Sequence, residues 1–181
     1  MFAVTLIPLL LLQAAPDPAA EEETIDWDAE FGVETEERDP ITGELPVDPY
    51  DQDNANAGAD PFDGARISEE FGGREGIRRI SDRLVELNYA DPRIREIFLG
   101  HDRVRLERTL FEQFCYILGA GCDYTGRDMR ASHADLGTTR ADLNALVENL
   151  QKAMRENDVP FAAQNRFLSK LAPMSGDVTT R

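Results

Sequence analysis

Several residue types that build metal sites and nucleic-acid interfaces are scarce in this chain. It has two histidines and two cysteines, and residues 16–65 hold one basic side chain against 17 acidic ones. Cys115 and Cys122 have neither the spacing nor the further ligands of a zinc site. No Asp-x-Asp-x-Asp-Gly loop with a closing Glu is present, which excludes a calcium loop of that kind. A basic nucleic-acid footprint is also absent.

The acidic excess is confined to the first part of the chain. Residues 66–181 hold 18 acidic and 18 basic residues, so the net charge of −16 lies ahead of Arg66. Residues 16–65 are rich in proline, and their few apolar residues follow no sustained period. Such a composition cannot offset the entropy of ordering, so we expect residues 16–65 to form a disordered acidic linker. It serves either as a docking strip for a basic partner or simply as a solvated leader.

The first fifteen residues are uncharged and mostly apolar, but they are too few to span a bilayer as a helix. They predict a secretory signal peptide, residues 1–15, with cleavage after Ala14 or Ala15 and a periplasmic or exported product. The apolar run lacks a preceding Lys or Arg and contains Pro8. The alternatives are an uncleaved anchor, which would associate the protein with a membrane, and a wrongly chosen start codon. No cysteine is available near the cleavage site for a lipid anchor.

From residue 66 onward the apolar residues recur every three or four positions, and no strand-like alternation is present. This periodicity predicts an all-α domain of about six helices. Asp102 suits the N-cap of one helix, and Thr138 or Thr139 suits that of another. The apolar stripes of the three longest helices are Ile77, Ile80, Leu84 and Leu87; then Leu106, Leu110 and Phe114; then Leu143, Leu146, Val147, Leu150 and Met154.

A set of segments in fixed order resembles the group 1 truncated haemoglobins, the short two-over-two globins. The segments read FGGREGI, ADPRIREIF, CYILGAGCDYTGRDM, HADLG and KLAPM. The most specific pattern is YTGRDM followed, after three intervening residues, by a histidine. The resemblance covers residues 66–177 and is strongest to an exported proteobacterial subset with an acidic leader. It implies a two-over-two helical sandwich preceded by the disordered leader.

The resemblance also implies a cofactor, haem b (iron protoporphyrin IX). His133 matches the proximal iron ligand, and it lies on one helical face with Met129, four residues earlier. Phe98 matches an aromatic residue that wedges against the porphyrin. The remaining matched positions are Leu106, Leu110 and Phe114 on the distal helix, and Met129, Leu136 and Val147 on the proximal and inner walls. Arg127 and Arg130 are both candidates for a propionate partner.

The distal positions depart from the family pattern. Many members place a Tyr where this chain has Val85 and a Gln where it has Leu110. Those side chains hydrogen-bond bound dioxygen, so we expect a less stabilised oxygen complex here. Some members have a second iron-ligating His where this chain has Thr109. His101 is the other candidate for that role.

Cys115 and Cys122 are separated by one helical turn and a glycine-rich break. In an oxidising compartment they would form an intrachain disulfide, and in a reducing one they would remain two thiols. We favour the disulfide because the chain resembles exported proteins.

Three functions remain open. The resemblance favours a protein that reversibly binds oxygen, NO or CO at a His-ligated iron, as in oxygen transport, sensing or scavenging. The alternative is a haem enzyme for NO dioxygenation, with an unidentified reductase, or for peroxidase-like chemistry. An apolar distal wall lacks the acid–base group that peroxide cleavage uses. The third reading is a helical module without haem, whose acidic leader docks a partner.

Overall fold

The computed structural model describes residues 36–181, so the predicted signal peptide and residues 16–35 of the predicted linker lie outside the described residues. Within residues 36–181 the regular structure is helical, without strands, and no helix is long and apolar enough to cross a membrane. The α-helices are α1 (Arg66–Glu70), α2 (Gly73–Ala90), α3 (Arg95–Leu99), α4 (Arg103–Ile117), α5 (Met129–His133), α6 (Arg140–Glu156), α7 (Phe161–Leu171) and α8 (Ser175–Val178). Two 3-10 helices, Asn54–Ala57 and Ala172–Met174, complete the set.

The long helix α2 lies at the centre and packs against both α4 and α6. Phe167 of α7 is fully buried, and its ring meets those of Phe71 and Phe114 edge to face at centroid distances of 5.4 and 5.0 Å. Burial of an aromatic side chain of this size stabilises the fold by about 1.5–3 kcal/mol. The predicted apolar stripes supply much of this core, in particular Ile77, Ile80, Leu84, Leu150 and Met154.

The helix starts follow local capping chemistry. The Asp102 side chain accepts a hydrogen bond from the Val104 amide and caps α4, as predicted. Of the two threonines considered for α6, Thr139 is the cap, and it forms a reciprocal capping box with Asp142. A capping side chain of this kind is worth about 1 kcal/mol, so these residues define where α4 and α6 begin.

Residues 36–65, which we call the N-terminal arm, correct the prediction of a disordered linker for this part of the chain. Arg38 pairs with Asp102 at 2.8 Å, and the buried Glu44 carboxylate pairs with Arg105 and Arg108 of α4. Ala57 is fully buried in the core. The composition argument failed here because it could not include these tertiary contacts: Glu44 has two arginine partners on α4, Arg38 has a carboxylate partner, and Ala57 is buried in the core.

The favoured disulfide is confirmed. Cys115, fully buried near the end of α4, is bonded to Cys122 in the following loop, and their Cα atoms are 5.6 Å apart. The pair closes a short loop, which removes conformational entropy from the unfolded chain. It therefore ties the end of α4 to the loop that leads into α5.

Candidate functional site

His133 is the last residue of α5 and is half-buried. Its Nδ1 atom lies 2.7 Å from the carbonyl oxygen of Met129, one helical turn earlier. A carbonyl oxygen can only accept, so this contact places the imidazole proton on Nδ1. In the neutral imidazole the Nε2 atom then keeps its lone pair, which is the form of histidine that binds a metal.

The loop before α5 is fixed by its own side chains. The buried Tyr124 hydroxyl donates to the Arg127 carbonyl at 3.0 Å, and burial raises the pKa of this phenol. The ring lies so close to Gly126 that a Cβ atom at this position would overlap the phenol. The Asp128 carboxylate accepts from the Ala131 amide at 2.9 Å and caps α5. These contacts determine where α5 begins and hence where His133 lies.

His133 borders a cavity of about 60 Å³ with mainly apolar walls. The lining comprises Ile94, Ile97, Phe98, His133, Leu136, Thr138, Asp142, Leu143, Leu146 and Val178. Two of the polar groups have partners already: the Thr138 hydroxyl donates to the Val178 carbonyl, and the Asp142 carboxylate belongs to the α6 capping box. The imidazole is thus the polar group of this cavity that remains suited to a ligand.

Three of the predicted site residues line this cavity: Phe98, His133 and Leu136. The Phe98 ring lies 5.9 Å from that of Tyr89, whose hydroxyl donates to the Phe98 carbonyl at 3.1 Å. The other five predicted residues lie elsewhere around the core and do not belong to the cavity lining. Leu106, Leu110 and Val147 are half-buried, whereas Phe114 and Met129 are buried.

Several lining residues were not among the predicted site residues. Ile94 and Ile97 are three residues apart, as are Leu143 and Leu146, so helical periodicity already pointed to them. Thr138 and Val178 carried no such signal. They meet because the carboxyl-terminal amides of Thr180 and Arg181 both donate to the Thr138 carbonyl, at 2.9 and 3.1 Å.

The remaining candidate groups are held outside the cavity lining. His101 is exposed in the turn between α3 and α4. The Arg127 guanidinium donates to the Asp48 carbonyl at 2.9 Å and lies 5.1 Å from the Tyr50 ring centroid, while Arg130 pairs with Asp177 at 2.7 Å.

Two positions expected on the distal side from the sequence offer no free hydrogen-bond donor in the structure. Val85 is fully buried and apolar. The Thr109 hydroxyl donates to the Arg105 carbonyl at 2.9 Å and is therefore satisfied within its own helix. Among residues 36–181 no three His, Cys, Asp or Glu side chains form a group that could hold a metal ion.

Comparison with known proteins agrees with this architecture. A group 1 truncated haemoglobin of Mycolicibacterium paratuberculosis is 26% identical over 116 residues, which are 64% of this chain and 85% of that protein. One of Chlamydomonas moewusii is 29% identical over 90 residues, which are 48% and 52% of the two chains.

Solved structures show the same fold. The truncated haemoglobin of Tetrahymena pyriformis superposes with a TM-score of 0.61 at 21% identity, over 64% of this chain and 98% of that one. The 2/2 haemoglobin of Synechococcus sp. PCC 7002, solved in the cyanomet state with covalently attached haem, gives a TM-score of 0.59 at 24% identity over the same shares. The family model for bacterial-like globins matches residues 66–180. Since this match covers more than half of the chain, the protein belongs to the bacterial-like globin family, with the two-over-two fold of the truncated haemoglobins.

Proposed function

We propose that the protein binds haem b and that His133 holds the iron through Nε2. The observation that carries the proposal is the contact between Nδ1 of His133 and the Met129 carbonyl at the edge of an apolar cavity. The contact orients the imidazole and directs Nε2 away from the Met129 carbonyl, and a neutral imidazole nitrogen is the donor that haem iron takes in globins. Phe98, Leu136 and Leu146 would pack against the porphyrin.

The cavity of about 60 Å³ is smaller than the roughly 300–1,000 Å³ of typical ligand pockets. Its walls must therefore separate when a porphyrin enters. The helices beside it are suited to such movement, because α3 and α5 have five residues each and α3 contains no buried residue. Short helices with little buried surface open at low free-energy cost.

When bound, the haem would supply an iron able to bind oxygen, NO or CO reversibly. Val85, Leu106 and Leu110, the residues expected on the distal side, would provide no hydrogen-bond donor to a bound ligand, and the Thr109 hydroxyl is already engaged within its own helix. The same apolar surroundings lack an acid–base group for peroxide cleavage. This chemistry favours reversible ligand binding over peroxidase action. NO dioxygenation by the oxygenated protein, which requires a reductase, is the enzymatic alternative.

We also propose that the protein acts outside the cytoplasm. The apolar residues 1–15 and the Cys115–Cys122 disulfide both support export, since disulfides persist in oxidising compartments. Amino-terminal sequencing of the protein from fractionated cells tests this: a periplasmic chain that begins near residue 15 is expected, whereas a cytoplasmic chain that begins at Met1 would contradict it.

The haem proposal is tested by absorption spectra of the ferric, ferrous and CO-bound protein. We expect a Soret band in the wild type that is weakened or displaced in His133→Ala. His101→Ala is the matched control, because it removes the other histidine, and its spectra should equal those of the wild type. A Soret band indifferent to His133→Ala would overturn the proposal, as would failure of the wild type to take up haem. A low-spin six-coordinate spectrum lost in His101→Ala would show that His101 also binds the iron.

A further inference from the structure

The middle part of the N-terminal arm, residues 48–58, is bound to the loop that leads into α5. We propose that these residues position the iron ligand: they hold the loop of residues 122–127 in place, and the loop determines where α5 presents His133. Residues 48–58 lie outside the family match, which begins at residue 66. The inference rests on the proposed haem function, because it assigns the arm a role in the proximal side of that site.

Side chains of the arm bind the backbone of the loop directly. The Tyr50 hydroxyl donates to the Thr125 carbonyl at 2.9 Å. Asn54 accepts from the Tyr124 amide at 2.7 Å and donates to the Asp123 carboxylate at 3.0 Å. In addition, the Asn56 amide donates to the Gly126 carbonyl at 3.2 Å. Three consecutive residues of the loop, 124–126, therefore have backbone groups satisfied by the arm.

These contacts matter because the loop lacks regular structure of its own. Residues 122–127 are neither helix nor strand, so few of their backbone groups are satisfied by each other. On the α4 side the loop is held by the disulfide at Cys122 and by Glu112, whose carboxylate accepts from the Thr125 amide at 3.0 Å and from its hydroxyl at 2.7 Å. The arm holds the opposite side.

The arm also reaches the helix that carries the ligand. Gln113 of α4 is buried, and its amide donates to the Ala57 carbonyl at 2.9 Å and approaches the Met129 sulfur at 3.1 Å. Gly58 has a φ of +80°, and a Cβ atom there would lie 3.1 Å from Cγ of Met129 and would overlap Met174. The arm therefore packs closely against Met129, the residue whose carbonyl orients His133.

The arm therefore affects α5 through two separate sets of contacts. The first set lies in the loop, where the Tyr124 hydroxyl donates to the Arg127 carbonyl just before the Asp128 cap. The second set consists of the contacts that Gln113 makes with Ala57 and Met129. Partners that orient a metal-binding histidine through its own contacts commonly change metal affinity when they are lost. Tyr50 and Asn54 are thus positioning residues, since they act through the loop and do not line the cavity.

The test compares the double variant Tyr50→Phe/Asn54→Ala with Arg38→Ala in the full chain. The double variant removes three hydrogen bonds to the loop and keeps the Tyr50 ring beside Arg127. Arg38→Ala is the control, because it removes arm contacts, to the Asp102 carboxylate and the Gly43 carbonyl, that do not touch the loop. We expect haem transfer to excess apomyoglobin to be about tenfold faster in the double variant and within twofold of the wild type in the control.

Two further readouts separate positioning from general destabilisation. The iron–histidine stretching band of the ferrous protein should shift or broaden in the double variant only. In the haem-free full chain, amide exchange of residues 122–134 should be about tenfold faster in that variant, while the exchange of α2 stays unchanged. Tyr50→Phe alone, which deletes a single oxygen atom, should change the iron–histidine band and the amide exchange of residues 122–134 in the same direction, but less than the double variant does.

Unchanged exchange and haem loss in the double variant would overturn the inference, and so would equal changes in Arg38→Ala. If the double variant loses helical circular dichroism, it has not folded normally. Tyr50→Phe is then compared with the wild type and Arg38→Ala instead, and unchanged exchange and haem loss in Tyr50→Phe would overturn the inference. If the wild type takes up no haem, the proposed function fails. The exchange of residues 122–134 in the haem-free chain still shows whether the arm positions the loop.

Discussion

The Nδ1 atom of His133 lies 2.7 Å from the carbonyl oxygen of Met129. Both residues belong to the five-residue helix α5, and Met129 is anchored in the core by Gln113. The contact couples the orientation of the imidazole to the buried start of the helix. A substitution that displaces Met129 should therefore also displace the Nε2 atom of His133, which is proposed to bind iron.

The proposed assignment of the apolar residues Val85, Leu106 and Leu110 to the distal side predicts fast oxygen release. Leu110→Gln places an amide at the position where many relatives have one, and it should slow oxygen dissociation from the ferrous protein. A net hydrogen bond of about 0.5–1.5 kcal/mol corresponds to a factor of roughly 2 to 12. Leu110→Met is the control, because it is similar in volume and has no N–H donor. Stopped-flow measurement of oxygen release checks this, and an equal rate in all three proteins would contradict it.

The disulfide predicts a stability that depends on redox conditions. Reduction of Cys115–Cys122 opens a loop with a sequence separation of 7 residues. The unfolding free energy should fall by about 2 kcal/mol, by the entropy of closing so short a loop. Urea unfolding with and without a reductant measures it. Cys115→Ala/Cys122→Ser should show no response to the reductant, and a wild type that is equally insensitive would refute the prediction.

The buried carboxylate of Glu44 predicts that the arm contributes to stability. Glu44→Gln keeps the shape but removes the charge that faces Arg105 and Arg108. Hydrogen bonds to charged groups are worth about 1.5–3 kcal/mol, and Arg108 keeps Glu112 as a second partner at 3.1 Å, so we expect a loss of about 1–2 kcal/mol in urea unfolding. Glu37→Gln, at an exposed position of the same arm, serves as the control. An arm that adds nothing would leave both variants equal to the wild type.

The lowered pKa of Asp102 predicts part of the loss of folding stability at acid pH. Burial acts to raise the pKa of its carboxyl, but hydrogen bonds from Arg38 and from the Leu45 amide outweigh burial, and the pKa lies below the ordinary value. The folded state thus binds this proton less readily than the unfolded state, whose pKa is about 4. The stabilisation is present above that pH and is lost as the pH falls through the lower, folded-state pKa.

The measurement for Asp102 is urea unfolding between pH 6 and pH 3. Asp102→Asn keeps a good N-cap for α4 but removes the titrating charge. Its unfolding free energy should be lower than that of the wild type at pH 6, and the difference should shrink towards pH 3. A difference that stays constant over this range would contradict the assigned pKa shift.

The small cavity predicts that haem uptake moves its walls. Amide exchange of α3 and of residues 129–138 should change on haem binding more than that of the core helix α2, because these segments are short and border the cavity. Hydrogen exchange of the haem-free and haem-loaded chains measures the difference. Uniform protection along the whole chain would show that the walls do not open separately.

Local sequence signals predicted the helices well. The Asp102 cap, the Thr139 cap and the apolar stripe from Ile77 to Leu87 depend on neighbours within one or two helical turns. Such interactions can be read from spacing alone, because a helix fixes the relative positions of residues three and four apart. The order of motifs around His133 likewise pointed to the family, and the Cys115–Cys122 pair to a disulfide.

The arm and the cavity were decided by tertiary structure. Composition predicted that residues 36–65 stay disordered, yet Glu44 finds Arg108, which is 64 positions away, and Asn54 finds Tyr124, which is 70 positions away. Thr138 and Val178 meet across 40 positions. Periodicity carries no information about such distant partners, because they depend on how helices and loops pack. The sequence by itself therefore determined the helices, the candidate ligand His133 and the disulfide pair. The surroundings of His133 were decided only by tertiary structure, since they depend on how the arm, the loop and the carboxyl terminus pack around α5.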